Sequence, residues 1–345
     1  MRILTDLTRD RLKRFRKFKR AWWALLILGT AFVISLGSEL IANDKPLYLG
    51  WHGKAYFPVF KFYPSSEFGG PYGTESDYLR LREDSAFVAG GGKMVFPIIA
   101  DSPLRTHLEL EGNPPHAPSR QHLLGTDNSA RDVLARLIYG FRICMAFALL
   151  LAFFDAVLGI TIGGIQGYMA GKVDITVQRL IEIWSALPFL YVVILLGSIY
   201  GRTFGVLLFI MALFEWIGLS YFMRGEFFKL KNQTYVRAAK ALGYGPFRVF
   251  FRQILPNALT PVITLMPFTV VAGISSLTAL DFLGFGLMPP TPSWGEILKQ
   301  GLENIDKPWL AISATTALFV TLLLATFIGE GVREAFDPRS GHHIE

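Results

Sequence analysis

Hydrophobic residues in this chain form six long runs separated by polar segments. Each run holds about twenty residues, the length that an α-helix needs to cross the hydrocarbon core of a bilayer. The pattern therefore predicts an all-α membrane protein with six transmembrane helices. The predicted spans are residues 21–42, 143–167, 181–200, 203–223, 258–280 and 309–329.

A basic segment precedes the first run. Residues 1–20 hold nine Lys or Arg against Asp6 and Asp10, an excess equal to the net charge of +7. Apolar residues recur there three or four positions apart, at Leu4, Leu7, Phe15, Phe18 and Trp22. The stripe predicts an amphipathic elbow helix on the cytoplasmic lipid surface, so the charge indicates a membrane rather than nucleic acid. An uncleaved first helix is favoured over a cleavable signal peptide, whose apolar core is shorter.

Residues 43–135 differ from the spans in composition. They are rich in Gly, Pro and aromatic residues and carry nine Lys or Arg against eleven Asp or Glu, without the basic excess of a cytoplasmic loop. With residues 1–20 inside, this insertion between helices 1 and 2 lies outside, in the periplasm of a cell with two membranes. Its Pro and Gly favour turns and short strands over helices, with a partly disordered segment as the alternative.

Glycine recurs every four residues from the second span onward, at Gly159, Gly163, Gly167 and Gly171. This spacing predicts one smooth helix face that another helix backbone approaches closely. The run is not a phosphate-binding loop, because Lys172 is followed by Val173 instead of Ser or Thr.

A second basic segment, residues 225–257, separates the fourth and fifth spans. Residues with high helix propensity predict a helix that ends at Gly243 and the Gly245-Pro246 pair. A second helical piece is expected to follow and to end at Leu255-Pro256. Cations outnumber the single Glu226 here, which places the loop in the cytoplasm and both chain ends inside. The cations in and directly before this segment are Arg224, Lys229, Lys231, Arg237, Lys240, Arg248 and Arg252.

This segment resembles the coupling loop of ABC importer permeases, a short cytoplasmic helix that docks into a cleft on the ATPase subunit. The residues that match or stand in its pattern are Tyr235, Arg237, Ala238, Ala239, Gly243, Leu255 and Pro256. The resemblance implies that the two alanines allow close approach, that Gly243 makes the turn and that Leu255-Pro256 begins the next span. Arg237 stands where the family usually has Glu, and so needs a different partner.

Further stretches resemble the dipeptide/oligopeptide/nickel branch of these permeases. Residues 14–20 look like its basic elbow, residues 122–142 like the leader into the second span, and residues 280–296 like its external loop; the ending Phe336-Asp337-Pro338-Arg339 is also typical. Ala130 stands where this leader usually has Gly. Residues 38–46, 56–58 and 68–71, together with the long insertion, are similar to the Yej-type subgroup of peptide importer permeases.

The resemblance implies one subunit of an ATP-driven importer for oligopeptides or peptide-like compounds, with dipeptide or nickel import as the alternative. Its implied partners are a second permease in a heterodimer, ABC ATPase subunits and a periplasmic substrate-binding protein. ATP is bound by the partner, so we expect no cofactor and no enzymatic activity in this inner-membrane chain. The predicted organisation is an elbow (1–20), a first span (21–42), the insertion (43–135), a permease core (136–339) with the coupling loop (225–257), and a cytoplasmic tail (340–345).

Two acidic residues fall in the middle of spans, Asp155 and Glu215. A charge at that depth costs about 2.5–3.5 kcal/mol on insertion scales, so we expect both to face the permeation path or a helix partner. A proton-coupled secondary transporter would use the same pair, but the internal repeats of such proteins are not evident. A membrane enzyme would need a convergent catalytic set, and the insertion shows none.

Other polar residues favour structural roles. Asp127, Asp132 and Asp281 suit helix-end hydrogen bonds, and Arg179 is expected to pair with Glu182. Cys144 is the only cysteine and suits a small buried position. The histidines lack the spacing of a metal site, so no metal is expected. They are His52, His107, His116, His122, His342 and His343.

Overall fold

The computed structural model of the protein describes residues 6–336. The helices are α1 (Asp6–Lys17), α2 (Lys19–Ser35), α3 (Tyr78–Glu83), α4 (Ser85–Ala89), α5 (Val133–Met169), α6 (Gly171–Ser185), α7 (Phe189–Tyr200), α8 (Phe204–Leu230), α9 (Thr234–Ala241), α10 (Pro246–Val249), α11 (Leu255–Phe282), α12 (Trp294–Glu303) and α13 (Pro308–Phe336). The strands are β1 (Tyr48–Trp51), β2 (Lys54–Tyr56) and β3 (Lys93–Val95). The described chain divides into two compact units, one of residues 6–29, 144–288 and 319–336, the other of residues 30–143 and 289–318.

Four helices in the described part of the chain are long and apolar enough to cross a membrane: α5, α8, α13 and the continuous segment Pro246–Phe282. Two bent pairs meet the same test when each pair counts as one span. These are α1 with α2, bent by 96°, and α6 with α7, bent by 72°. The prediction of a mostly helical membrane fold is therefore confirmed. The described residues contain four candidate spans, or up to six if each bent pair is one span, and the count of six stays a prediction.

Two predicted spans are interrupted in the structure. α2 ends at Ser35, short of the predicted residue 42, because Gly37 leads into a 3₁₀ turn over Ser38–Leu40. The predicted span 181–200 breaks after Ser185, because Pro188 lacks the N–H that a continuing helix needs. Neither hydrophobic run is therefore one continuous helix: the first run extends beyond the end of α2, and the second is divided between α6 and α7.

The elbow helix α1 contacts the end of α13. Phe15 is buried with Ala21 and Ala335, and the Arg11 guanidinium lies 4.3 Å from the centre of the Phe336 ring. Part of the stripe predicted to face lipid therefore packs against protein. Leu4 and the predicted tail 340–345 lie outside the described residues.

Three of the predicted glycines bring α5 against α8. A Cβ on Gly159 would lie 2.8 Å from the Leu219 Cβ. A Cβ on Gly163 or Gly167 would overlap a backbone carbonyl oxygen of α8. Only glycine permits this backbone-to-backbone approach, so the prediction of a smooth face is confirmed for these positions.

Gly171 does not belong to that face. α5 ends at Met169, and Ala170 and Gly171 adopt positive φ values of 53° and 58°. The chain turns at these two residues, and Gly171 is the first residue of α6. The four-residue spacing of the glycines therefore extends beyond α5, and the fourth glycine is not on its packing face.

The insertion contains a three-stranded antiparallel sheet in the order β2-β1-β3. Leu49, Phe68, Tyr78 and Phe87 form its buried core. The predicted short strands are present, and α3 and α4 add helices that the Gly and Pro content did not predict. The N-cap carboxylates Asp77 and Asp84 accept backbone N–H groups at the start of these helices, which explains why such short helices form.

Buried ion pairs join the leader into α5 to α12. The Arg136 side chain is fully buried; its Nε lies 3.3 Å from Asp127 Oδ2, and its guanidinium also pairs with Glu296. Arg131 Nη2 contacts the same two carboxylates at 2.7 and 3.0 Å. Opposite charges satisfy one another in this buried site, where an unpaired charge would be costly.

The three carboxylates predicted to lie at helix ends accept backbone N–H groups in three different places. Asp132 accepts the Ala135 N–H at 2.7 Å and caps α5, while Asp281 accepts the Leu287 N–H at 2.7 Å beyond α11. Asp127 holds a turn instead, accepting the Arg131 N–H at 3.0 Å. Within that turn Ala130 has a φ of 54°, a conformation that explains why related leaders carry Gly.

The α5–α8 contact generates a prediction. Replacing Gly163 with Ala should destabilise the folded chain by about 1–3 kcal/mol, because the new methyl group overpacks the α8 backbone. Thermal unfolding of the detergent-solubilised chain measures the effect. Gly218→Ala is the control, since a Cβ at Gly218 meets no atom within 4 Å. Equal melting temperatures for the two variants would contradict the close contact.

Candidate coupling site

The segment between α8 and α11 begins with the short helix α9, which ends in a glycine turn. Gly243 has a φ of 80°, its N–H donates to the Lys240 carbonyl at 3.0 Å, and the Tyr244 N–H donates to the Ala239 carbonyl at 3.1 Å. These bonds form the Schellman ending that glycine favours, because the left-handed conformation strains other residues. Gly243 therefore makes the turn that the sequence predicts.

One face of α9 is buried and the other is exposed. Val236 is fully buried in a cluster with Met223 and Phe227 of α8. Ala239 is also buried, at 6 % exposure, whereas Ala238 and Arg237 are exposed. The two alanines of the predicted pattern thus have separate environments: Ala239 lies on the packed face and Ala238 on the open one.

The second helical piece was predicted to end at Leu255-Pro256, and this prediction is wrong. α10 continues through a π-helical turn (Phe250–Ile254) into α11, and the Leu255 N–H donates to the Phe250 carbonyl. Pro256 occupies the first turn of α11, where its missing N–H costs little. The coupling segment is therefore continuous with the fifth hydrophobic run.

An apolar surface remains exposed around the glycine turn. Leu242 is 76 % exposed and Phe247 is 77 % exposed, and the rings of Phe247 and Phe251 lie 4.6 Å apart. We define the coupling surface as the exposed side chains of Tyr235, Arg237, Leu242, Phe247 and Phe251. The family pattern does not include Leu242, Phe247 and Phe251, although large apolar residues beside two glycines in a basic loop are a signal of such a surface.

The charge of this segment is entirely positive. Residues 227–257 contain no Asp or Glu, and Arg237 and Arg248 are exposed. The Arg248 guanidinium lies 4.2 Å from the centre of the Tyr244 ring. Partial burial and the nearby Lys240 lower the pKa of Lys231, while Asp174 acts in the opposite direction. An acidic partner surface would complement this charge.

The two mid-span carboxylates lie in the same unit. Asp155 of α5 is only 4 % exposed, and the like charge of the Glu215 carboxylate of α8 acts on it. Its Oδ1 atom has no hydrogen-bond partner among the described residues. Glu215 is half-buried. Elsewhere, Arg179 pairs with Glu182 at 2.5 Å, as predicted.

Two histidines that are distant in sequence meet in the other unit. The rings of His107 and His122 lie 4.5 Å apart, and both contact the Asp101 carboxylate. Hydrogen bonds to Asp101 and Asp132 raise the pKa of His122 to about 9. Linear spacing gave no sign of this cluster, because the fold of the insertion brings the rings together.

Comparison with known proteins agrees with this architecture. Residues 159–342 match the family described as binding-protein-dependent transport system inner membrane component. The inner membrane ABC transporter permease protein YejE of Escherichia coli (strain K12) is 43% identical over 98% of this chain and 99% of its own length. The peptidoglycan transport system permease protein YejE of Agrobacterium fabrum is 39% identical, covering 96% and 93%. The dipeptide transport system permease protein DppC of Bacillus subtilis is 32% identical, covering 77% and 86%.

The apolar helices and this similarity define a multi-pass membrane protein of the ABC importer permease class. The chain belongs to the family of binding-protein-dependent transport system inner membrane components. The resemblance to the Yej-type subgroup is confirmed by relatives that align with nearly the whole chain, insertion included.

The glycine turn yields a prediction on the coupling site. Gly243→Ala should destabilise the turn by about 1–2 kcal/mol, because a Cβ is disfavoured at positive φ. Gly243→Asn should cost less, since Asn tolerates this conformation better. Limited proteolysis of the loop reports the change. Gly245 has a negative φ and open space around its Cβ position, so Gly245→Ala is the control. Greater cleavage of the Gly245 variant would contradict the assignment.

Proposed function

We propose that this chain is the permease subunit of an ATP-driven importer for oligopeptides or peptide-like compounds. The observation that carries the proposal is similarity over 98% of the chain to an ABC transporter permease of the Yej type. Relatives named for dipeptide, oligopeptide and peptidoglycan transport support a peptide-containing substrate. Dipeptide or nickel import is the alternative within the same family.

In this proposal the ABC ATPase subunit binds the coupling surface. The adjacent rings of Phe247 and Phe251, together with exposed Arg237, give the aromatic and arginine composition that protein interfaces favour. Leu242 and Phe247 supply apolar contacts, and Arg237 supplies a cation for a carboxylate on the ATPase. ATP is bound and hydrolysed by that partner, so this chain itself holds no cofactor.

The orientation follows from charge. We place six spans across the inner membrane, with both termini and the coupling surface in the cytoplasm and residues 43–135 in the periplasm. The basic segments before the first span and between the fourth and fifth spans support this arrangement, whereas the insertion has no basic excess. A periplasmic binding protein then delivers substrate from outside, and a second permease completes a heterodimer.

Transport in this account depends on rigid movement of the coupling segment. Closure of the ATPase domains displaces α9, and its buried face passes the displacement to α8 and α11. Val236 from α9, Met223 from α8 and Ala258 from α11 belong to one buried cluster, so these helices move as a unit. The bundle thereby shifts between inward-open and outward-open populations.

Asp155 and Glu215 are proposed to face the substrate path or each other rather than lipid. The burial of Asp155 and its unpaired Oδ1 atom support a protein or water environment. Cysteine at either position, introduced with Cys144→Ser, should react with a membrane-impermeant thiol reagent in at least one transport state. Protection in every state would exclude a path role and leave an interhelix bond.

A co-purification experiment tests the coupling surface. Phe247→Ser should reduce the amount of ATPase that co-purifies with the solubilised permease by at least about tenfold. Loss of one aromatic side chain that the partner buries on binding costs about 2 kcal/mol or more of binding free energy. Phe60→Ser is the matched control, since Phe60 is 73 % exposed in the insertion. Normal ATPase recovery with Phe247→Ser would show that the ATPase binds elsewhere.

Uptake measurements test the substrate assignment. Proteoliposomes with ATP enclosed in the lumen and with binding protein outside should accumulate labelled oligopeptide, because transport runs towards the face that carries the ATPase. Excess unlabelled dipeptide, nickel and peptidoglycan fragment serve as competitors that rank the alternatives. ATP-independent accumulation driven by a proton gradient would overturn the importer mechanism.

A further inference from the structure

A compact group of buried histidines and carboxylates lies within the insertion. Asp101 and His107 come from one loop, and His122 and Asp132 from the leader into α5. More than nine-tenths of each side chain is buried. We propose that this group binds a divalent transition-metal ion, with Zn²⁺ the best match, and that the ion fixes the loop to the start of α5.

The potential ligand atoms converge on a small volume. Asp101 Oδ2 lies 2.7 Å from His107 Nε2 and 3.4 Å from His122 Nδ1, and Asp132 Oδ2 lies 3.0 Å from the same His122 nitrogen. Ligands of a tetrahedral zinc ion, with bonds of about 2.0–2.1 Å, lie about 3.3 Å apart. The two separations at His122 are close to this value, and a small rotation of the His107 ring opens the third.

Backbone contacts hold both carboxylates in place. Asp101 Oδ1 accepts the Ser102 N–H at 2.8 Å, which leaves Oδ2 for the two imidazoles. Asp132 Oδ1 accepts the Ala135 N–H at 2.7 Å, which leaves its Oδ2 for His122. The ligand atoms are therefore positioned before an ion arrives.

Glu109 completes the surroundings of the site. Its Oε1 lies 2.9 Å from His107 Nδ1, so it accepts the N–H of the ring nitrogen opposite the ligand atom. Metal-bound imidazoles commonly have such a carboxylate partner, which orients the ring. The Glu109 side chain is 56 % exposed, so this outer carboxylate lies at the protein surface while the ligand atoms are buried.

The donor set selects the type of ion. Two imidazole nitrogens favour zinc or a similar transition metal over Ca²⁺ and Mg²⁺, which prefer oxygen ligands. A divalent ion also balances the two buried carboxylates that face the histidines. The ligand atoms of Asp101, His107 and His122 all lie within 4.8 Å of one another, and Asp132 Oδ2, which contacts the same His122 nitrogen, is the proposed fourth ligand. A site closed by four protein ligands would be structural.

Zinc binding by the full-length chain tests this proposal. The chain is purified in detergent with its affinity tag removed and with His342→Gln and His343→Gln, which eliminate the other adjacent histidines. After chelation, equilibrium dialysis against ZnCl₂ should give about one zinc per chain. His107→Gln and Asp101→Asn should weaken binding by at least about tenfold to a hundredfold. His116→Gln, in the same insertion, should bind like the parent.

Substoichiometric zinc, or unchanged zinc affinity in His107→Gln, would overturn the proposal. The group would then be a network of hydrogen bonds between protonated histidines and carboxylates. Glu109→Gln provides an additional test if a buried substitution prevents folding, since Glu109 is exposed and contacts the site through His107. It should lower zinc affinity by about 10–100-fold with an unchanged gel-filtration profile. Unaltered affinity would contradict the proposed ring orientation.

Discussion

Packing of one face of α9 against α8 is the interaction on which the coupling site depends. α9 has only eight residues, and isolated helices shorter than about 12–15 residues are marginal in water. Burial of Val236 with Met223 and Phe227 supplies the stability that the short helix lacks. The position of α9 is consequently tied to that of α8, as its proposed coupling role requires.

The same contact extends to α5 through small and aromatic residues. The Phe227 and Phe250 rings lie 4.7 Å apart beneath the coupling segment. A Cβ on Gly164 of α5 would lie 3.0 Å from Phe250 and 3.1 Å from Phe227, so glycine lets α5 approach this aromatic pair. The segment that carries α9 is therefore joined to a densely packed group of helices, and such packing would transmit the displacement proposed for α9.

Sequence patterns predicted the features that depend on local physics. Hydrophobic runs located the long helices, and the need for positive φ at a helix end identified Gly243. The meeting of His107 with His122 depends on tertiary neighbours, which no linear spacing reveals. The exposure of Leu242 also depends on its neighbours, although its place beside two glycines in a basic loop was a signal. The continuation of α10 into α11 was missed because Pro256 was interpreted as a helix boundary, whereas in the first turn of a helix proline is tolerated.

The most direct measurement is site-specific photo-crosslinking from the coupling surface in the assembled transporter. A benzophenone placed on Leu242→Cys, with Cys144→Ser, should form a covalent adduct with the ATPase subunit, identified by mass spectrometry. The same probe on Leu108→Cys, an exposed position in the insertion, should form no ATPase adduct. Adducts with lipid alone from Leu242→Cys, or equal ATPase adducts from both positions, would contradict the account of coupling through α9.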